Sequence, residues 1–459
     1  MAVKTREEYL AALKKMRPNI YKFGELIEDV TTHPATKRTV ESHARAFDAA
    51  NDPELQKMYT TTSIFTGEKI QRWNSMMQDD SALIQNMRFK RQNYRRTGTC
   101  TGAVCVGWNA MNVMWAVTED MDAEYGTNYK ERLKKWILHA EKEGLTVAGA
   151  LTDAKGDRSK SPSQQAEPDT NLHVKEVRED GIVIRGAKLM ICGTAAAQEI
   201  FLLPGSGYKD PDKDYVLACV VPRDIEGLTI VEARHPSDKR ELEDTADVEV
   251  PSTGITQGWL LFDDVFVPNE RVFMCGEAKY SGKAIQYFTA NYRACIGGCV
   301  TGQGDVMIGA SILMARANGL KTKTFMNKLV DMSINNTVTF GLGAGACALG
   351  FQHASGSFFG GIVETGCMPS YADVSHPEYG PFLKKCIKAG DCSAETRFKA
   401  ARLSEWLTIG AGVPGCMHGG GSPDGAKLVV RFTTPMEEYA DYARNIINIE
   451  EEVKDPGNK

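Results

Sequence analysis

The sequence predicts an α+β protein in which an N-terminal helical domain, a central β-barrel and a C-terminal helical bundle follow one another. Three observations predict it. Residues 54–161 contain no proline and carry apolar side chains three and four apart, whereas residues 162–268 contain eight prolines among short β-branched runs. After Pro268 the helical spacing returns in long stretches. Boundaries are expected at residues 1–145, 146–275 and 276–459.

The opening helix is signalled by a capping box, Thr5 with Glu8, ahead of Tyr9, Leu10, Leu13 and Met16. Helical spacing recurs over Ile64–Met77 and Trp108–Val117, with Gly126 and Asn128 as punctuation. In the middle, Asp180-Gly181 lies between the runs Val174–Val177 and Ile182–Ile184, a hairpin signal. Tyr215–Val221, Leu228–Val231, Val248–Val250 and Leu260–Val267 are the further strands of a small barrel or sandwich. Ala284–Met314, Met326–Ala348, Ala394–Ile409 and Met436–Val453 are the C-terminal helices, with Gly/Pro-rich surface at Gly356–Pro381 and a glycine-rich loop at Gly410–Gly425.

Composition narrows the function classes. The 459 residues are 42% hydrophobic and carry a net charge of −5 from 54 basic and 59 acidic side chains, with no run of five like charges, so neither nucleic acid nor an anionic membrane is the expected partner. The uncharged stretches Thr97–Thr118 and Met332–Val363 are broken by Gly, Asn, Thr and Ser, unlike the roughly 20 apolar residues of a membrane span. Charge throughout Met1–Lys14 leaves no signal-peptide core, and twelve scattered cysteines read as reduced thiols of a cytoplasmic protein.

Four features can carry chemistry. Gly341, Gly343 and Gly345 imitate a dinucleotide loop but follow no strand, and small residues at a helix crossing are the simpler reading. Cys100 and Cys105, with Cys295 and Cys299, fit an iron–sulfur spacing loosely. Leu151–Ser159 gathers hydroxyl, carboxylate and guanidinium groups around Gly156, a loop able to meet a flavin edge or a phosphate. His418 stands in a glycine-rich run, between site and simple turn. No Gly-x-Ser-x-Gly elbow supports serine hydrolase chemistry.

Six blocks carry a family resemblance, in order along the chain: Asn19, Tyr21, Phe23, Gly24 and Ile27 with His33-Pro34; Thr152, Asp153, Gly156, Asp157 and Arg158; Asp180-Gly181 through Arg185, Gly186 and Lys188; Phe262 through Pro268, Asn269 and Arg271; Gly297, Gly298 and Cys299 with Gly304-Asp305; and Met417-His418 through Ser422-Pro423. They resemble the 4-hydroxybutyryl-CoA dehydratases, within the 4-hydroxyphenylacetate 3-hydroxylase flavoproteins, which share the acyl-CoA dehydrogenase fold. The resemblance implies a homotetramer holding FAD, with an acyl-CoA substrate facing the flavin. By position, Thr152, Asp153, Arg158, Ser159, Cys192, Gly193 and Thr194 would meet the cofactor, and Lys328 would reach a phosphate from a neighbouring subunit.

The departures imply a changed reaction. Such dehydratases hold a [4Fe–4S] cluster on three cysteines and a histidine. Tyr292 stands at the histidine position and Thr101 at the first cysteine, leaving Cys100 one residue out of register; Cys105 and Cys299 remain. Loss of the cluster is expected, rescue through Cys100, Cys105, Cys295 and Cys299 being the alternative. Ile296, Val300, Gln257, Cys192 and Gly415 stand where the resemblance implies Tyr, Lys, Glu, Thr and Glu. A flavin-dependent, redox-neutral lyase is expected, removing the C4 substituent of a 4-substituted butyryl-CoA, with γ-butyrobetainyl-CoA giving trimethylamine and a crotonyl-CoA-type product as the specific case. Tyr292, Cys299, His418 and Gln257 are the expected catalytic residues. Tyr292, with Trp259, would face the substrate cation, and Ile296 and Val300 would leave it room. The alternatives are a cluster-bearing 4-hydroxybutyryl-CoA dehydratase with vinylacetyl-CoA isomerase activity, a flavin-dependent aromatic hydroxylase and a non-catalytic CoA- or flavin-binding protein.

Overall fold

The computed structural model describes residues 3–154, 156–233, 256–317, 319–320 and 322–361. The expected strand at Val248–Val250, the helices at Ala394–Ile409 and Met436–Val453, and the loop with Gly415 and His418 lie outside the described residues.

The chain opens with α1 (Arg6–Lys14), whose predicted capping box is present. β1 (Ile20–Lys22) and β2 (Glu25–Ile27) form a hairpin whose turn residues Phe23 and Gly24 both have positive φ. α2 (Lys37–Asn51) and α3 (Gln56–Tyr59) precede a second hairpin, β3 (Thr60–Thr62) with β4 (Lys69–Gln71). This hairpin replaces the helix expected over Ile64–Met77. Gly67, at φ +70°, turns the chain back, and the apolar residues that looked periodic divide between β4 and the buried turn that follows it.

α4 (Asp80–Thr97), α5 (Val106–Tyr125) and α6 (Tyr129–Glu143) each end at a left-handed glycine: Gly98, Gly126 and Gly144. The β region then runs through β5 (Val147–Ala150), β6 (His173–Val177), β7 (Gly181–Cys192), β8 (Glu199–Leu202), β9 (Leu217–Pro222), β10 (Leu228–Glu232), β11 (Gln257–Pro268) and β12 (Val272–Cys275). The Asp180-Gly181 hairpin is β6 paired with β7.

These strands form two open sheets, in the orders β2-β1-β10-β11-β7-β6 and β12-β9-β8-β5. The expected barrel is therefore corrected: no closed barrel is present among the described residues. β1 and β2, from the N-terminal segment, extend one edge of the larger sheet, and β12 continues the strand pattern past Pro268. Two long helices follow, α7 (Ala278–Ala317) and α8 (Lys323–Ala348), and then the short pair β13 (Phe351–Gln352) and β14 (Phe358–Phe359). Phe359 is wholly buried, so the start of the segment read as surface belongs to the core.

Small residues bring the helices together. A Cβ on Gly298 of α7 would lie 2.0 Å from the Met87 carbonyl oxygen of α4, and one on Gly302 would lie 2.7 Å from that of Arg91. Gly343 of α8 comes as close to Met87 and Ala294, which settles the Gly341–Gly345 run as a helix crossing. Arg91 holds Asp305 through both carboxylate oxygens at 2.8 and 2.9 Å, and Asn336 donates to the same carboxylate at 2.9 Å, tying α4, α7 and α8 together.

Candidate active site

The close approach of α4 and α7 brings side chains from four segments to one place. Lys90 comes from α4, Cys100 and Cys105 from the turn between α4 and α5, Cys192 from the end of β7, and Tyr292 and Cys299 from α7. Cys100, Cys192, Tyr292 and Cys299 all pack against one apolar cluster containing Tyr94, Ile296 and Val300.

Lys90 is 3% exposed, and its ammonium stands 4.8 Å from the centre of the Tyr292 ring. Burial opposes its charge, but Cys105, Cys295 and Cys299 outweigh burial and raise its affinity for the proton. In return, the hydrogen bond with Cys299 and the charge of Lys90 pull the Cys105 thiol down to about 6 against the cost of burial. The site thus holds a thiolate and an ammonium at neutral pH. Burial, reinforced by the surrounding thiols, pushes the Tyr292 phenol well above its ordinary range, so it keeps its proton.

The cysteines associate in pairs. Cys105 hydrogen-bonds Cys299, and Cys100 hydrogen-bonds Cys192. Cys295 turns away to donate to the Leu83 carbonyl at 3.7 Å and meets Cys347. Thr101 is held by the Asn93 amide. Among the described residues, no three His, Cys, Asp or Glu side chains stand where they could hold a metal ion. The four-cysteine set expected as the alternative is divided between two thiol pairs and a third contact, an arrangement that does not fit a four-thiolate cluster.

Beside these thiols lies a cavity of about 160 Å³ lined by Val106, Gly149, Leu151, Thr152, Met190, Ile191, Cys192, Phe288 and Tyr292. Its wall is apolar apart from Thr152, Cys192 and Tyr292. At the Cys192 edge, Gln257 donates to the thiol sulfur at 3.3 Å, while its own Oε1 and the neighbouring Thr256 hydroxyl are buried without partners among the described residues. An apolar slot with only Thr152, Cys192 and Tyr292 as polar groups in its wall suits a flat heterocycle.

The structure separates the expected cofactor residues. Thr152 and Cys192 line the cavity. Gly193 takes the left-handed turn after β7, and its N–H donates to Thr256. The Thr194 hydroxyl donates to Glu232. Asp153 is buried in an ion pair with Lys188 at 2.6 Å and accepts from the Tyr208 hydroxyl at 2.7 Å, so its carboxylate is committed to the fold. Arg158 and Ser159 are exposed, with Ser159 bonded to Asp157, and Lys328 faces Asp331 in an exposed pair at 4.0 Å.

The expected cation site is also rearranged. The Tyr292 ring is already faced by Lys90 and stacked on Phe288 at 5.0 Å. Trp259 is 45% exposed and does not line the cavity. Ile296 and Val300, each 2% exposed, are packed core rather than open space. Sequence reasoning missed Lys90 altogether. Its signal was periodicity: it falls in register with buried Leu83, Met87, Tyr94 and Thr97 along α4. His43, also missed, is buried on α2. Its Nδ1 donates to the Thr39 carbonyl at 2.7 Å and its Nε2 accepts from the Ala103 N–H at 3.2 Å, which holds the cysteine-bearing turn. Burial lowers its pKa to about 4, so it serves as a neutral ring.

A two-sheet α+β fold with an apolar slot beside buried thiols defines the class, and comparisons with known proteins give its family. The 4-hydroxyphenylacetate 3-hydroxylase N-terminal profile matches residues 5–274, and the C-terminal profile of the same family matches residues 281–362 and 357–448. The chain belongs to this family. Within it, the chain is 31% identical to the 4-hydroxybutyryl-CoA dehydratase/vinylacetyl-CoA Δ-isomerase of Clostridium aminobutyricum, over 97% of this chain and 99% of that protein. An oxygen-tolerant archaeal 4-hydroxybutyryl-CoA dehydratase from N. maritimus superposes with a TM-score of 0.90 at 28% identity, covering 99% of this chain and 97% of that one. The oxygenase component of 4-hydroxyphenylacetate 3-monooxygenase, in complex with FAD and 4-hydroxyphenylacetate, shares the fold at a TM-score of 0.77 and 21% identity, over 97% of this chain and 98% of that one.

Proposed function

We propose that this protein is a flavin-dependent, redox-neutral lyase that removes the C4 substituent of a 4-substituted butyryl-CoA. The observation that carries the reading is the rebuilt sulfur site. In a chain similar to a dehydratase over nearly its whole length, the cysteines pair with one another around Lys90 and Tyr292 instead of converging as four ligands. A substituent that departs as a neutral molecule requires no Lewis acid, and a quaternary ammonium leaving as a tertiary amine meets that condition. The preferred substrate is therefore γ-butyrobetainyl-CoA, yielding trimethylamine and a crotonyl-CoA-type product.

FAD suits the slot between Thr152, Cys192 and Phe288, and when bound it supplies two-electron redox capacity next to the substrate. The chain's own residues do the rest. Gln257 holds the Cys192 thiol in the wall of the slot. Phe288 and Tyr292 wall the substrate side and exclude water. The Cys105–Cys299 pair is the group suited to take and hold the C2 proton near neutral pH, a role that neutral Tyr292 fills poorly. Lys90 keeps the pair ionised, and its shared charge with Cys105 leaves the substrate cation without a net like charge to oppose it. Association into a homotetramer is part of the proposal, supported by the exposed apolar row Met326, Val330, Ile334 and Val338 on α8.

The test is a product assay without oxygen, offering flavin-loaded protein γ-butyrobetainyl-CoA and 4-hydroxybutyryl-CoA separately. Trimethylamine and an unsaturated acyl-CoA formed in equal amounts from the first substrate support the proposal. Turnover of the second alone would overturn it.

A further inference from the structure

Cys100 and Cys192 meet in space although 92 positions separate them, and both pack against the same apolar cluster. A Cβ on Gly102 would lie 2.7 Å from the Cys192 carbonyl oxygen and 2.9 Å from its Cβ. One on Gly193 would lie 2.9 Å from the Ala103 nitrogen and 3.2 Å from His43 Nε2. The turn that carries Cys100 and the end of β7 that carries Cys192 therefore approach each other through glycine backbone, with no side chain between them at these two points. The two thiols hydrogen-bond, and both side chains are partly exposed, whereas Cys105 is buried. Cys192 also faces the cavity and receives the Gln257 amide at 3.3 Å.

We propose that Cys100 and Cys192 form a modification site that reacts with low-molecular-weight disulfides and closes into an intrachain disulfide bridging the α4–α5 turn to β7. The Cys192 thiolate attacks one sulfur of the small disulfide, forming a mixed disulfide and releasing one small thiol, which carries off the proton. Cys100 then attacks the Cys192 sulfur and releases the second small thiol with the second proton. Two protein thiols have lost two electrons and two protons, and one disulfide has been reduced to two thiols. Closure removes the thiol hydrogen of Cys192 from the cavity wall and pins that wall to the helical region. The inference does not depend on the leaving group assigned under Proposed function.

The experiment treats the full-length protein, purified without oxygen, with an excess of glutathione disulfide, alkylates the remaining thiols and maps cross-linked peptides by mass spectrometry. The expected result is a peptide pair joining Cys100 to Cys192, loss of two alkylatable thiols per chain, and reversal by a dithiol reductant. Cys192→Thr and Cys100→Ser should each abolish the cross-link and leave at most a mixed disulfide on the remaining partner. A cross-link mapped to Cys105 and Cys299, glutathione adducts on other cysteines without an intrachain bridge, or no change in the thiol count would each overturn the proposal. Because the wild-type map alone decides the matter, a variant that fails to fold does not blunt the test.

Discussion

Lys90 shows how one buried charge sets the chemistry of its neighbours. An ammonium removed from water is costly unless it is paired, and here the partner is a thiol whose ionisation it favours in turn. Tyr292, in contact with the same group, has no such help and stays protonated. A phenol held neutral acts through its ring rather than its proton. Tyr292→Phe should therefore keep kcat/KM within about tenfold, whereas Tyr292→Ala, which removes the wall beside Phe288, should lower it by roughly a hundredfold or more. Equal losses in the two variants, measured in steady-state assays, would make the hydroxyl the working group. Residues of this kind were only partly legible in the sequence. Tyr292, Cys192 and Gln257 stood out because they replace other groups at positions of a resembling family. Lys90 lies between Arg88 and Arg91, where charge alone suggests solvent, and only its helical register points inward. The surroundings of Asp153 were not legible for the opposite reason: its partners Lys188 and Tyr208 come from segments far along the chain.

The elements place these groups through close backbone approach. Gly298 allows α7 to touch α4, and that contact sets Cys299 beside Cys105 and Lys90. Gly298→Ala would put a Cβ 2.0 Å from the Met87 carbonyl, so the helices must separate. The expected cost is about 1–3 kcal/mol in denaturant unfolding, as for other overpacked cores. With it, the Cys105 thiol should titrate above its present value of about 6, toward an ordinary thiol. A variant with unchanged thiol titration by alkylation rate would separate the helix contact from the sulfur chemistry. Elements with local signals were readable in advance. The Thr5 capping box and the Asp180-Gly181 hairpin depend on neighbours in sequence, and both are present. The Ile64–Met77 stretch was not, because Gly67 and pairing with Thr60–Thr62 override its apolar spacing.

At the scale of the whole molecule, two open sheets pack with the helices, and the site forms where β7, the α4–α5 turn and α7 converge. The α+β order was visible in proline usage and hydrophobic period. The sheet topology was not, since β1 joins β10 in parallel across some two hundred residues and no local pattern announces that pairing. The same long-range assembly decides whether the cysteines serve a cluster or one another. Flavin and iron measured together on one anaerobic preparation therefore bear most directly on the central claim. A flavin absorption spectrum with about one flavin and well under one iron per chain is the predicted result. About four irons per chain, with the broad brown absorption of an iron–sulfur protein, would contradict it and return water elimination to first place.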